Sequence, residues 1–137
     1  MRTIKIFVFD TNSLISAHLL PNSVNRLAYD TALTKGVIAY SRATLSEFVQ
    51  VFSRPKFDKY LSLTARSEAI TRFEREGFLI DVKIQIADCR DQTDNKFLEL
   101  AVTSGARCLV TGDKDLLVMH PYRAFDIISP SDFLKMF

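Results

Sequence analysis

The sequence predicts an α/β fold: one mostly parallel sheet with helices on both faces. Three observations lead there. Short apolar runs rich in β-branched and aromatic residues alternate with segments of helical period. The first run, Ile4 to Phe9, is apolar at every position but Lys5, as a central strand buried on both faces must be. The length of 137 residues, 47% hydrophobic and 25% charged, suits a single compact domain over 1–137 with no linker, repeat or low-complexity stretch.

The elements follow in order. Residues 4–9 read as a strand ending at Asp10. Asn12 or Ser13 can cap a short helix carrying Leu14, Ile15, Leu19 and Leu20, stopped by Pro21. Ser23 caps a second helix with an apolar face of Val24, Leu27, Ala28 and Ala32, closed by Gly36. Val37 to Tyr40 is a strand. Ser41 or Thr44 opens a helix in which Leu45, Phe48, Val49 and Phe52 share a face, bounded by Pro55. A turn or short helix spans 56–63, and Thr64 to Gly77 is helical with Ala69, Ile70 and Phe73 inward. Phe78 to Ile86 alternates in part and reads as a loosely defined strand. A helix over 93–104 closes at Gly105, and strands over 107–111 and 124–128 flank a helical turn at 114–119. Pro130 to Met136 is a terminal helix.

Composition narrows the function classes. A net charge of +2 neither announces nor excludes an anionic polymer as partner. Cys89 and Cys108 have no partner at metal-ligand spacing, and no export signal precedes them, so reduced thiols in a cytoplasmic protein are expected. No stretch reaches the roughly 18 apolar residues of a membrane span.

The acidic residues carry the chemistry. Active sites of open parallel sheets lie beyond the carboxyl ends of the strands. Asp10 follows the first strand, and Asp113, with Asp115 two residues on, follows the 107–111 strand. Glu47 and Asp94 sit early in helices that begin at that same edge. Four carboxylates meeting there would repel one another unless a divalent cation neutralised them, and all-oxygen ligands favour Mg²⁺ or Mn²⁺. Asn12 and Ser13 can orient Asp10 or a water. Each acid also has a plainer role open to it: Asp10 as a helix cap, Glu47 as a solvated helix residue, Asp91 or Asp94 at a helix start, Asp113 and Asp115 in a turn. Arg42, Arg54, Lys56, Lys59 and Lys96 lie near these motifs, and Arg54 to Tyr60 mixes cations with rings that can stack on bases. His18 and His120 are isolated and are expected to be neither ligands nor catalysts.

With these residues in view, the chain resembles the PIN-domain family over nearly its whole length. The resemblance is carried by Asp10-Thr11-Asn12 after the opening strand, by Thr44-Leu45-Ser46-Glu47-Phe48, by Arg90-Asp91-Gln92-Thr93-Asp94-Asn95-Lys96-Phe97-Leu98-Glu99-Leu100-Ala101, and by Thr111-Gly112-Asp113-Lys114-Asp115-Leu116. The subgroup it resembles is the toxin component of prokaryotic toxin–antitoxin pairs. The resemblance implies a three-layer α/β/α sandwich, Mg²⁺- or Mn²⁺-dependent cleavage of RNA, a cognate antitoxin and a homodimer. It carries Asp10, Glu47 and Asp94 over as catalytic, metal-holding acids, with Asp113 preferred to Asp115 as the fourth and Asp91 as an auxiliary. Two other readings stand beside it. Haloacid-dehalogenase-type phosphatases also open on a strand ending in Asp, but their general acid two residues on is here Asn12, which cannot shuttle the proton. A PIN fold that binds RNA or a protein without cutting is the second.

Overall fold

The computed structural model describes residues 3–137. Its elements are β1 (Ile6–Phe9), α1 (Thr11–Leu19), α2 (Val24–Lys35), β2 (Val37–Tyr40), α3 (Arg42–Phe52), α4 (Leu63–Glu76), β3 (Phe78–Leu79), α5 (Asn95–Ser104), β4 (Cys108–Val110), α6 (Lys114–Leu117), β5 (Asp126–Ile128) and α7 (Pro130–Met136). The five strands form one parallel sheet in the order β3-β2-β1-β4-β5. The chain winds one way from β1 to β3, then crosses to the far side of β1 for β4. A crevice therefore opens at the carboxyl ends of β1 and β4, where such sheets bind ligands.

Strand alternation sorts the core into two layers. Phe7, Phe9, Ile38, Tyr40, Cys108, Val110 and Ile128 point to one face, where α1, α2, α3, α4 and α7 bury Tyr29, Phe48, Phe52, Phe73 and Phe133 against them. Val8, Ala39, Leu109 and Ile127 point to the other, covered by Phe97, Leu98 and Leu100 of α5 and Leu116 of α6. This is the predicted three-layer α/β/α architecture. Gly36 is required by crowding: a Cβ there would lie 2.1 Å from the Lys5 carbonyl oxygen. Gly105 ends α5 at φ +70°, the left-handed conformation glycine adopts without strain. Among the described residues no helix is long and apolar enough to cross a membrane.

Several local expectations are corrected. Asp10, not Asn12 or Ser13, caps α1: its carboxylate accepts the Ser13 N–H at 2.9 Å. Val24 and Leu27 are exposed, because Tyr29 turns inward and rotates the buried face of α2 toward Ala28, Tyr29 and Ala32. The tyrosine ring meets Phe9 and His18 edge-on. Only Phe78 and Leu79 of the 78–86 run pair with β2, plus one bond from the Ile80 N–H to the Tyr40 carbonyl. β2 ends at Tyr40 because Ser41 caps α3, so the following residues have no ladder partner. The Glu99 carboxylate supplies one acceptor instead, for the Ile86 N–H at 2.9 Å. The 93–104 helix begins later, at Asn95, behind a 3₁₀ turn over Gln92–Asp94. The turn expected over 56–63 begins one residue earlier, as a 3₁₀ turn at Pro55–Phe57.

Arg66 was not marked by the sequence as a core residue, yet its side chain is fully buried. It donates to the Phe52, Arg54 and Leu61 carbonyls at 2.7, 3.0 and 3.0 Å, and to the Asp58 carboxylate. It thus ties the end of α3 and the 54–61 loop to α4. Arg66→Met would strand those carbonyls. A stability loss of about 2–4 kcal/mol is expected, read as a lower urea midpoint with an unchanged slope; a midpoint equal to the parent's would mean water replaces the guanidinium at no cost.

Candidate active site

Each acid reaches the crevice by a different route. Asp10 is the first residue past β1 and is 5% exposed. Beyond the Ser13 N–H, it accepts the Thr111 hydroxyl at 2.5 Å. Thr111 follows β4, and its hydroxyl oxygen also accepts the Asp113 N–H at 2.9 Å. Asp94 ends the 3₁₀ turn that leads into α5, and Glu47 projects from the middle of α3. Together Asp10, Asn12, Glu47, Asp91, Asp94 and Asp113 line one cleft of ≈ 360 Å³, with Arg54 and Lys56 also on its wall and Phe97 behind. Asp10, Asn12 and Asp113 also border a second hollow of ≈ 320 Å³ with Ser13, Ser16 and Asn25.

The two residues left open as the fourth acid are separated here. Asp113 lines the cleft. Asp115 is half-buried and directed at Arg90, 3.7 Å away, while its N–H donates to Asp113 at 2.9 Å. Asp91 caps the 3₁₀ turn, accepting the Thr93 N–H and hydroxyl at 3.0 and 2.7 Å, and these bonds hold its carboxyl below its ordinary range. Asp91 therefore caps the turn at the cleft's edge, while Asp94 lines the cleft without capping.

The basic residues divide. Arg54 and Lys56 are at the cleft. Lys96 pairs with Glu47 at 2.6 Å. Arg42 faces a neighbouring hollow that Lys96 also lines. Lys59 is not brought to the cleft; its ammonium lies 5.2 Å from the Tyr60 ring centre. His18 is packed among aromatic rings with Nδ1 donating to the Leu14 carbonyl at 2.7 Å, and burial holds its pKa down. His120 accepts the Ile127 N–H at 2.9 Å. Both cysteines are free and buried.

Thr11 and Thr111 were missed as functional positions. Both lie inside the acidic motifs, but nothing in the sequence says that the Thr11 hydroxyl meets Glu47 or that the Thr111 hydroxyl meets Asp10. The first pair is 36 residues apart and the second 101.

Electrostatically the cleft is uneven. Asp10 is bonded at both oxygens, yet burial still raises its pKa. Asp94 is pushed up to about 7, by burial first and then by the neighbouring Asp113. Its Oδ2 is the buried side-chain atom without a hydrogen-bond partner among the described residues. No three His, Cys, Asp or Glu side chains among the described residues form a ready-made metal cage. The donor set nevertheless fits a hard cation. Mg²⁺ keeps several waters and uses one or two carboxylates, and the orphaned Asp94 oxygen beside Asp113 offers that pair.

Comparison with known proteins agrees with this architecture. Residues 7–115 match a family described as the PIN domain. An uncharacterized protein of Methanocaldococcus jannaschii, MJ1680, is 31% identical over 148 residues, spanning 100% of this chain and 95% of its own. Among solved structures, VapBC2 from Rickettsia felis, bound to a DNA fragment from their promoter, superposes with a TM-score of 0.64 at 15% identity over 90% of this chain and 98% of that one. PAE2754 from Pyrobaculum aerophilum gives 0.65 at 15% identity over 97% and 88%. DNA-bound VapBC from Salmonella typhimurium gives 0.60 at 18% identity over 93% and 99%. At these identities the structural likeness is one of fold.

The raised carboxyls set a pH dependence. Folding raises Asp94 from 3.8 to about 7, so the folded chain holds a proton that the unfolded chain releases. The resulting stability is fully present below the unfolded value and is lost as pH climbs through about 7. In EDTA the melting temperature should fall between pH 5 and 8, and Asp94→Asn should flatten that fall. Mn²⁺ should give its largest stabilisation at the alkaline end, where no proton has to be displaced. Parallel melting curves for parent and variant would assign the slope to other groups.

Proposed function

Because the chain belongs to the PIN-domain family, we propose that it is a divalent-metal-dependent endoribonuclease and the toxin of a toxin–antitoxin pair. The observation that carries the reading is the convergence of Asp10, Glu47, Asp94 and Asp113, from four separate segments, on one cleft whose buried Asp94 oxygen lacks a partner. Carboxylates so placed are costly to a fold that has no use for them.

Asp10, Asp94 and Asp113 would hold Mg²⁺ or Mn²⁺, with Glu47 completing the acidic set. When bound, the ion lowers the pKa of a water and offsets charge growing on the phosphodiester. The chain's own residues do the rest. Thr111 and the Ser13 N–H keep the Asp10 carboxylate from rotating. Asn12, exposed at the cleft mouth, can donate to a phosphate oxygen or orient a water. Arg54 and Lys56 bind backbone phosphates on the rim, and Phe97 closes the floor against solvent. Neither of the exposed cations is consumed by an ion pair with the acids.

An antitoxin partner is proposed by analogy with VapBC2 from Rickettsia felis and VapBC from Salmonella typhimurium. A homodimer remains part of the same proposal. A PIN fold that binds RNA without cutting would keep its affinity and lack turnover.

Purified protein with Mn²⁺ should cut single-stranded RNA, and Asp10→Asn should lower the rate by about 10²–10³-fold while circular dichroism stays that of the parent. Retained activity in that variant would remove the basis of the assignment. Induced expression should arrest growth of a bacterial host, and Asp94→Asn should relieve the arrest; equal arrest by both forms would separate toxicity from this cleft.

A further inference from the structure

Glu47 differs from the other acids of the cleft in being paired with a cation. One of its oxygens accepts the Lys96 ammonium at 2.6 Å and the other accepts the Thr11 hydroxyl. Both members of the ion pair are about three-quarters shielded, with side-chain exposures of 22% and 24%. Asp94 has an oxygen with no partner among the described residues. The acids thus fall into two sets: Asp10, Asp94 and Asp113, whose charge no ammonium or guanidinium offsets among the described residues, and Glu47, satisfied by Lys96.

The position of the satisfied pair matters. Glu47 lines the acidic cleft, whereas Lys96 lines the adjoining hollow of ≈ 360 Å³ with Arg42, Ser41 and the run 80–85. Their contact forms the wall between the two. That hollow lies at the same sheet edge, since it is built on the residues that follow β2 and β3. A strand whose phosphate sits among the acids and continues over this wall meets Lys96 first and Arg42 next. An ammonium has three N–H donors; one is spent on Glu47, and two are left for a passing phosphate.

Resting on the nuclease reading, we infer that Glu47 is a positioning residue rather than a metal ligand, and that it holds Lys96 on the wall to take a backbone phosphate of the RNA strand leaving the cleft toward Arg42. The cation is then carried by Asp10, Asp94 and Asp113 alone. The arrangement also answers an electrostatic problem. A polyanion approaching four acids would be repelled, and the Lys96 charge cancels the acid nearest the strand's exit.

Two measurements test this on the full chain. Calorimetry with Mn²⁺ in the absence of RNA should give Glu47→Gln an affinity within about threefold of the parent, whereas Asp94→Asn loses about tenfold or more. Binding of a short mixed-sequence single-stranded RNA in EDTA, where no strand is cut, should weaken in Lys96→Met. The slope of log K against log salt should flatten by about 0.7, the signature of one lost phosphate contact on a single strand. Lys96→Arg should restore that slope, which a packing role for the residue would not require. With Mn²⁺ present, Lys96→Met should raise KM more than it lowers kcat. If Glu47→Gln loses Mn²⁺ as Asp94→Asn does, Glu47 is a ligand and the inference fails. It fails equally if Lys96→Met leaves the salt slope unchanged, or if it tightens Mn²⁺ binding severalfold, which would make the ammonium a competitor for the ion's place. A parent protein that binds no Mn²⁺ would instead overturn the nuclease reading beneath it.

Discussion

The Thr111 hydroxyl stands at the seam on which the site depends. It donates to Asp10 and accepts the N–H of Asp113, so a single oxygen sets the spacing of two acids that follow neighbouring strands. The seam itself exists because β1 pairs with β2 on one side and with β4 on the other. Any change of register between β1 and β4 would shift Asp10 relative to Asp113 and turn alternate side chains to the wrong face. The large apolar layers on both faces, with Phe7 and Phe9 below and Val8 above, hold that register.

Around the seam, like charge is held together by unlike means. Asp10 is stabilised as an anion by a hydroxyl and a backbone N–H, although burial works against it. Glu47 is neutralised by an ammonium. Asp94 is left to its neighbour Asp113 and is pushed toward the protonated form. The cleft is therefore a reservoir of unfavourable electrostatic energy, maintained by a core strong enough to tolerate it. A divalent ion is the simplest agent that would release it, and the Asp94 oxygen that lacks a partner among the described residues is open to one.

The cationic rim rests on a different foundation. Arg54 and Lys56 belong to a loop with little apolar anchorage of its own: Phe57 is its partly buried ring, packed against Phe52. Arg66 supplies the rest, threading from α4 to the loop carbonyls and to the end of α3. A guanidinium suits this task because its donors fan out in one plane and reach several acceptors at once. Two exposed cations at the cleft are thus placed by a third, buried one that never meets solvent.

What the sequence determined by itself is what local physics controls. The strand at 37–40, the cap at Ser23, the glycine stop at 105 and the terminal helix from Pro130 follow from propensity and side-chain hydrogen bonding within a few residues. The acidic motifs were legible because a strand that ends in Asp, and helices that begin at the same edge, have few other places to put a carboxylate. Tertiary structure decided the rest. Whether 80–86 could be a strand depended on where β2 stopped. Which face of α2 was buried depended on the pocket that Phe9 and Phe73 offered to Tyr29. The burial of Arg66 needed three carbonyls gathered from two separate segments. The partners of Glu47 come from 36 and 49 residues away. A hydrogen bond or ion pair between remote segments leaves no periodic trace in the chain, because its geometry exists only once the layers have packed.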